Sequence, residues 1–207
     1  FKAGRAYRVL RTFAGVLTWP LVVPAALLSR LSDELFRTFS ELFAVVPFLI
    51  GFIVRYEFYR FALTSCGRNV LIDFGVLFLY RDVSIGNDVY LAGNTMVHHC
   101  DIGNYVLVSE GCSLLSGSRY HSFDRTDVPI VMQGGHKTRI RIEDDCWIGA
   151  RSVVMTDVGT GSVVGSGSVV TSRVEPFSVV AGNPARLIRK RTHEIDEQTP
   201  DRATQRE

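Results

Sequence analysis

IEDDCWIGARSVVMTDVGTGSVVGSGSVVTSRV, residues 142–174, carries the pattern that decides the fold. Its large aliphatics return every six residues, at Ile142, Ile148 and Val154 and again at Val158, Val164 and Val170. Small or β-branched side chains stand four residues after the anchors, at Cys146, Ser152, Ser162, Ser168 and Val174. Glycine follows the anchor in Ile148-Gly149 and Val164-Gly165. An α-helix would need a period of about 3.6 and would be weakened by glycine at this density. A period of six instead describes short strands joined by tight turns, three to each coil of a parallel β-helix. The aliphatic anchor fills the prism interior, the small residue fits where the turn narrows the cross-section, and glycine supplies turn conformations that other residues reach with strain.

The same pattern extends backwards through Ile102, Val108 and Leu114 to Ile85, Leu91 and Val97. Its small positions are Val89, Thr95, Val106, Cys112 and Ser118, and its glycines Gly86 and Gly103. Three irregularities interrupt it. Val97 to Ile102 is five residues, Val154 to Val158 is four, and between Leu114 and Ile142 the repeat stops for a loop, SRYHSFDRTDVPIVMQGGHKTRI. A coil that releases a long polar and aromatic loop is expected to use it.

Composition divides the 207 residues in two. Residues 1–65 are 60% hydrophobic and hold only Gly4, Gly15 and Gly51 of the 18 glycines. We therefore expect a helical element over 1–65, the β-helix over 66–191 with its loop at 119–139, and a polar tail over 192–207. A net charge of +2 with 21% charged residues excludes a nucleic-acid protein driven by bulk positive charge. Cys66, Cys100, Cys112 and Cys146 show no paired spacing and read as buried, reduced thiols of a cytoplasmic protein.

Thr12 to Ser29 is an 18-residue stretch without formal charge, interrupted by Pro20 and Pro24, and Leu42 to Val54 is a second of 13 residues. A simple span needs roughly 20 apolar residues. Lys2, Arg5, Arg8 and Arg11 precede the first stretch. That order suits the inner face of an anionic plasma membrane, entered peripherally or re-entrantly. The same helices could instead cover the open end of the β-helix or, least in keeping with their length, span the bilayer.

At this point the sequence resembles the hexapeptide-repeat acyltransferases, and among them the bacterial enzymes that O-acetylate sugars of capsules, exopolysaccharides and related glycans. The residues that carry the resemblance are His121-Ser122-Phe123-Asp124, Asp127-Val128-Pro129-Ile130, Gln133-Gly134, Asp144 to Ala150, Gly165 to Thr171 and Ala181 to Arg189. The resemblance implies a left-handed β-helix, a homotrimer with sites in clefts between neighbouring prisms, acetyl-CoA as acyl donor, a carbohydrate acceptor and no metal.

Acetyl transfer to a hydroxyl needs a base, and histidine titrates near working pH. By the resemblance His121 is that base, with Arg119, Tyr120, Phe123 and Asp124 beside the acceptor. Asn94 falls where relatives carry an asparagine near the acceptor, although a turn-capping role suits it equally. Asp124 or Glu110 could orient His121. His98-His99 occupies a corner one coil below the loop and could line the same cleft, while His136 and His193 read as exposed. The resemblance places Ala150, Ser166 and Thr171 along the pantetheine arm, Trp147 on the cleft wall, and Arg186 and Arg189 at the nucleotide end of CoA, where a guanidinium suits phosphate. Ser172 stands where some relatives have lysine.

Transfer would be direct, within a ternary complex. The alternatives are N-acetylation of an amino sugar or amino acid, a zinc hydratase, for which the histidine spacing is wrong, and a non-catalytic scaffold.

Overall fold

The computed structural model describes residues 5–192, with side chains from Ala14 onward. The tail beyond Thr192, His193 included, and the side chains of Lys2, Arg5, Arg8 and Arg11 lie outside the described residues.

Three helices come first: α1 (Arg5–Leu28), α2 (Asp33–Ala44) and α3 (Phe48–Ala62). Ser32 starts α2 by accepting the Leu35 N–H at 3.2 Å, and Asp33 and Glu34 complement the positive end of its dipole. Pro20 and Pro24 are both carried inside α1. α1 lies along α3, with Trp19 edge-on to Phe61 at 5.7 Å and its indole N–H donating to Glu57 at 3.0 Å.

The helices cap the first coil of the strand-bearing part of the chain. Tyr59 of α3 packs on Phe78 with ring centroids 4.4 Å apart and shares a 2.7 Å hydrogen bond with Ser40. Arg55, fully buried, donates from Nε to the Ile72 carbonyl at 2.9 Å and from Nη1 to the Val46 carbonyl at 2.7 Å. A buried guanidinium is tolerable only when its donors are met, and here carbonyls of the α2–α3 turn and of the first coil meet them.

From Ser65 the chain winds a three-faced, left-handed parallel β-helix. The first face stacks β1 (Ser65–Cys66), β4 (Ser84–Ile85), β7 (Cys100–Ile102) and β10 (Ile140–Ile142), then continues as single bridges at Val158 and Val174. The second face holds β2 (Leu71–Ile72), β5 (Tyr90–Leu91), β8 (Leu107–Val108), β11 (Trp147–Ile148), β13 (Val163–Val164) and β15 (Ser178–Gly182). The third holds β3 (Leu77–Phe78), β6 (Met96–Val97), β9 (Ser113–Leu114), β12 (Val153–Val154) and β14 (Val169–Val170). β16 (Ala185–Lys190) folds back antiparallel on β15 and closes the second face.

The register puts anchor over anchor. Ile85, Ile102 and Ile142 align on the first face, Leu91, Val108, Ile148 and Val164 on the second, and Val97, Leu114, Val154 and Val170 on the third, all buried. Every inward column is continuous because parallel pairing places like positions of successive coils one strand spacing apart.

Three readings of the repeat need correcting. The winding starts at the expected boundary near Cys66, and the hexads run one coil further back than Ile85, through Cys66, Ile72 and Phe78, also six apart; a phenylalanine anchor and a seven-residue step to Ile85 hid them. Ser118 is not a narrow-corner residue, because the loop has already left the prism there and Ser118 is exposed. The glycines after the anchors do not supply the left-handed turns. Those turns are taken by other glycines, Gly75, Gly111, Gly161 and Gly167, together with Asn69, Asp88, Asn94, Tyr105, Asp145, Arg151 and Phe177, all at positive φ. Gly86, Gly103 and Gly149 are required by close approach between coils. A Cβ on Gly103 would lie 2.3 Å from Asp144 Oδ1 and 2.8 Å from its backbone N.

Candidate functional site

The edge between the third and first faces is where the loop leaves the prism. Regular coils turn this corner with a few residues: Tyr80-Arg81-Asp82 on the first coil and His98-His99 on the second. On the next coil the chain runs out after β9 and returns at β10.

The loop is built as two paired legs. Ser122 N–H donates to Gly134 O at 2.9 Å, His136 N–H to Arg119 O at 2.9 Å and Thr138 N–H to Ser116 O at 3.0 Å. A Cβ on Gly135 would sit 1.9 Å from the Tyr120 carbonyl, so only glycine lets the legs abut. At the tip the Gln133 amide donates to the carbonyls of Arg125 and Val128, both at 2.7 Å, and accepts the Arg125 N–H at 3.1 Å. These bonds give a long loop the satisfied backbone that such a segment usually lacks.

An aromatic and cationic cluster fixes the loop base to the corner. Tyr80 and Tyr120 share a hydroxyl–hydroxyl bond of 2.6 Å. Lys137 Nζ stands 4.6 Å from the Tyr80 ring centroid and 5.5 Å from that of Tyr120. Tyr80 stacks on His99 at 3.9 Å, and His99 Nδ1 meets the Asp82 carboxylate at 2.5 Å. Arg139, on the returning leg, donates to Asp101 Oδ2 at 3.0 Å and to the Asp82 carbonyl. His98 is buried edge-on to both Tyr80 and Tyr120, each at 5.9 Å.

The electrostatics follow. Burial pushes the His98 imidazole below its usual pKa, and repulsion from His99, Arg37 and Lys137 adds to the shift. Burial would raise the Tyr80 phenol, but the bond from Tyr120 together with Lys137 and Arg37 brings it below its usual value. Burial also pushes the Cys112 and Cys146 thiols up, Cys146 to about 11, so neither is poised as a thiolate nucleophile.

His121 follows Tyr120 on the outgoing leg, its ring 4.8 Å from the Tyr120 ring, exposed, and without a hydrogen-bond partner among the described residues. Arg119, Phe123 and Asp124 are exposed on the same leg. Tyr120 offers its ring edge to this surface, its hydroxyl being committed to Tyr80.

The other expected site residues lie elsewhere. Asn94, Ala150 and Ser166 stack along the edge between the second and third faces, where Glu110 also lies. Asn94 has φ +59° at its turn, a conformation asparagine tolerates, which agrees with the turn-capping role. Glu110 is therefore not a partner for His121 within one chain. Trp147 is half exposed on the second face and donates to Ser109 Oγ at 3.1 Å. Thr171 lies on the loop-bearing edge two coils above the loop. Arg186 and Arg189 are exposed on β16 and bond only to the neighbouring carbonyls of Ala185 and Lys190. One chain thus holds the His121 group on one prism edge, Ala150 and Ser166 on another, and Trp147, Arg186 and Arg189 on the second face.

Sequence reasoning passed over Tyr80, Asp82, Lys137 and Arg139. The signal was present for one pair, since Asp82 and His99 are separated by the 17 residues of a regular coil and must stack. Among the described residues no cluster of three or more metal-ligating side chains forms.

Residues 139–172 match the family described as the hexapeptide repeat of succinyl-transferase. A probable acetyltransferase of Mycobacterium tuberculosis is 32% identical over a segment covering 51% of this chain and 36% of that protein. A chloramphenicol acetyltransferase of Klebsiella aerogenes is 50% identical over 44% of this chain and 50% of that one. The chain thus spans a third to a half of the length of these curated relatives. Among solved structures, a hexapeptide-repeat-containing acetyltransferase from Vibrio cholerae superposes with a TM-score of 0.66 at 26% identity, over 76% of this chain and 92% of that one. A galactoside acetyltransferase in complex with coenzyme A shares the fold, with a TM-score of 0.64 at 22% identity over 76% and 80% of the two chains. The coil register and these relatives together show a hexapeptide-repeat β-helix that is similar to acetyltransferases of the same fold.

Proposed function

We propose that the protein transfers an acetyl group from acetyl-CoA to a hydroxyl of a bacterial glycan or glycan precursor, directly and with His121 as general base. The observation that carries this reading is the loop itself. Its paired legs and the Tyr80–Tyr120 bond hold His121 on an exposed rim, where an acceptor hydroxyl can reach an imidazole that no other group engages. Phe123 and Tyr120 offer aromatic surface to a sugar ring, and Arg119 and Asp124 offer a donor and an acceptor for its hydroxyls.

The thioester oxygen gains charge during attack and needs placed donors. Asn94 is assigned that role, with Ala150, Ser166, Thr171 and Trp147 along the pantetheine arm and Arg186 and Arg189 at the CoA phosphates. The separation of His121 from Ala150 and Ser166 on different edges of one prism supports a homotrimer in which the loop of one chain faces the neighbouring chain's second edge.

Exposed Leu17, Leu21, Leu31, Phe48 and Leu49 give the helical element an apolar surface. No described helix is long and apolar enough to cross a membrane, and we assign this surface to peripheral contact with the inner face of the plasma membrane.

Calorimetric titration of acetyl-CoA tests the donor half of the reaction. A micromolar Kd, about −8 kcal/mol, is expected; no binding at millimolar concentration would remove the assignment. Mixing His121→Ala and Asn94→Ala chains under reassembly tests the shared site. If each site takes one residue from each of two chains, mixed trimers regain about a quarter of wild-type activity; no recovery places both residues in one chain's site. Phe48→Ser with Leu49→Ser should abolish co-sedimentation with anionic liposomes while leaving acetyl-CoA binding intact.

A further inference from the structure

Between the helical element and the loop-bearing edge lies a polar cavity of about 450 Å³. The α1–α2 turn contributes Arg30 and Asp33, the exit of α3 contributes Thr64, and the first two coils contribute Tyr80, Arg81 and His99. None of the residues assigned above to acetyl-CoA or the acceptor lines it.

Two features of this cavity ask for a ligand. Arg81 Nε is buried without a partner, and no hydrogen bond or ion pair to its guanidinium forms among the described residues. An unpaired, partly buried guanidinium is costly, and elsewhere in this chain both a fully buried and a more exposed arginine are satisfied: Arg55 by carbonyls, Arg139 by Asp101 and the Asp82 carbonyl. The charge around the cavity is also unbalanced. Of the acids that line it, Asp82 is already paired with His99 and Arg139, which leaves Asp33 alone against Arg30 and Arg81.

We propose that this cavity binds a phosphate-type oxyanion, with Arg81 as its main ligand and Arg30 completing the donor set. A planar guanidinium donates two parallel bonds to such a group. Tyr80 lines the cavity and bonds to Tyr120, the neighbour of His121, so the cavity and the base share one wall. The bound molecule is then a phosphorylated acceptor whose anion rests on Arg81 while its sugar extends toward the loop. That it is the acceptor rests on the acetyltransferase reading; that the cavity takes an oxyanion does not.

The test is calorimetry on the full chain with inorganic phosphate, glucose 1-phosphate and glucose, and flotation with phosphatidylcholine vesicles containing phosphatidic acid. Phosphate and glucose 1-phosphate should bind, glucose should not, and Arg81→Gln should weaken binding at least tenfold, with Arg81→Lys between the two. Retention of glucose 1-phosphate alone assigns a soluble sugar phosphate; vesicle binding that Arg81→Gln also weakens assigns a lipid-linked one. Binding unchanged by Arg81→Gln, or absent at millimolar phosphate, overturns the site. Acetyl-CoA titration of the same samples checks the fold of the variant, with Arg30→Gln as a second probe. Loss of acetyl-CoA binding by wild-type protein would remove the acetyltransferase reading and leave the phosphate result standing.

Discussion

The three edges of the prism are made from the same repeat and have been put to opposite uses. On the edge between the first and second faces side chains stack in a ladder: Arg68 and Asn87 donate their backbone N–H groups to Asn87 Oδ1 and Asn104 Oδ1, and Asn104 in turn to Asp144 Oδ1. The amide and carboxylate groups of that ladder are met by the coil above or below. The third edge breaks its ladder to release a loop, and around the break the structure collects its least satisfied groups: buried His98 Nδ1, His99 Nε2 and Arg81 Nε without partners, and His121 exposed. Regular edges hold the prism together, and the irregular edge is where binding capacity remains.

The sharpest way to break this comparison is at the loop. His121→Ala is expected to lower acetyl transfer by about 10²–10⁴-fold with acetyl-CoA affinity unchanged by calorimetry; a fall of less than tenfold would return the edge to a structural role. On the regular edges the expected effect is on stability alone. Gly103→Ala drives a methyl into Asp144 and should cost about 1–3 kcal/mol in urea denaturation. Gly167→Ala meets open space and only the strain of φ +70°, so it should cost about 1 kcal/mol.

The pH response should come from the irregular edge. His98 is held below its usual value in the fold, so the folded state resists protonating it while the unfolded chain does not. Stability is then fully present above the unfolded pKa of about 6.5 and is lost as pH falls below it through the lower folded value. His98→Gln should flatten denaturation midpoints between pH 7 and 5; an unchanged slope would place the titration elsewhere. The smallest effect expected is that of Tyr80→Phe. It removes the 2.6 Å bond to Tyr120, should cost about 0.5–1.5 kcal/mol, and should lower kcat more than it raises KM, because the loop base that positions His121 loosens.

The hexad at Ile142, Ile148 and Val154 is enough to read parallel coils, because a six-residue return of aliphatics has no other regular home. It also shows where the coils stop. The coil at Cys66, Ile72 and Phe78 escapes such a reading because its anchor is aromatic and its last step is seven residues. The role of the glycines is not legible either, because sequence shows that glycine is needed, not whether for a dihedral angle or for the space a Cβ would fill. His121 is legible from its flanking residues. The Tyr80, Lys137 and Asp82–His99 cluster is not, since its members come from three coils and a loop leg.

Local sequence by itself determined the period, the inward columns and the position of the loop, since those depend on side-chain size at fixed spacing along one strand path. Only tertiary structure decided which edge each polar residue occupies. Edge identity is the running sum of every five- and six-residue step before it, so it separates Asn94 and Glu110 from His121 while bringing Tyr80, 40 residues away, within 2.6 Å of Tyr120. It also decided that Arg81 faces a cavity, because that cavity exists only where the α1–α2 turn, the end of α3 and the first coils meet.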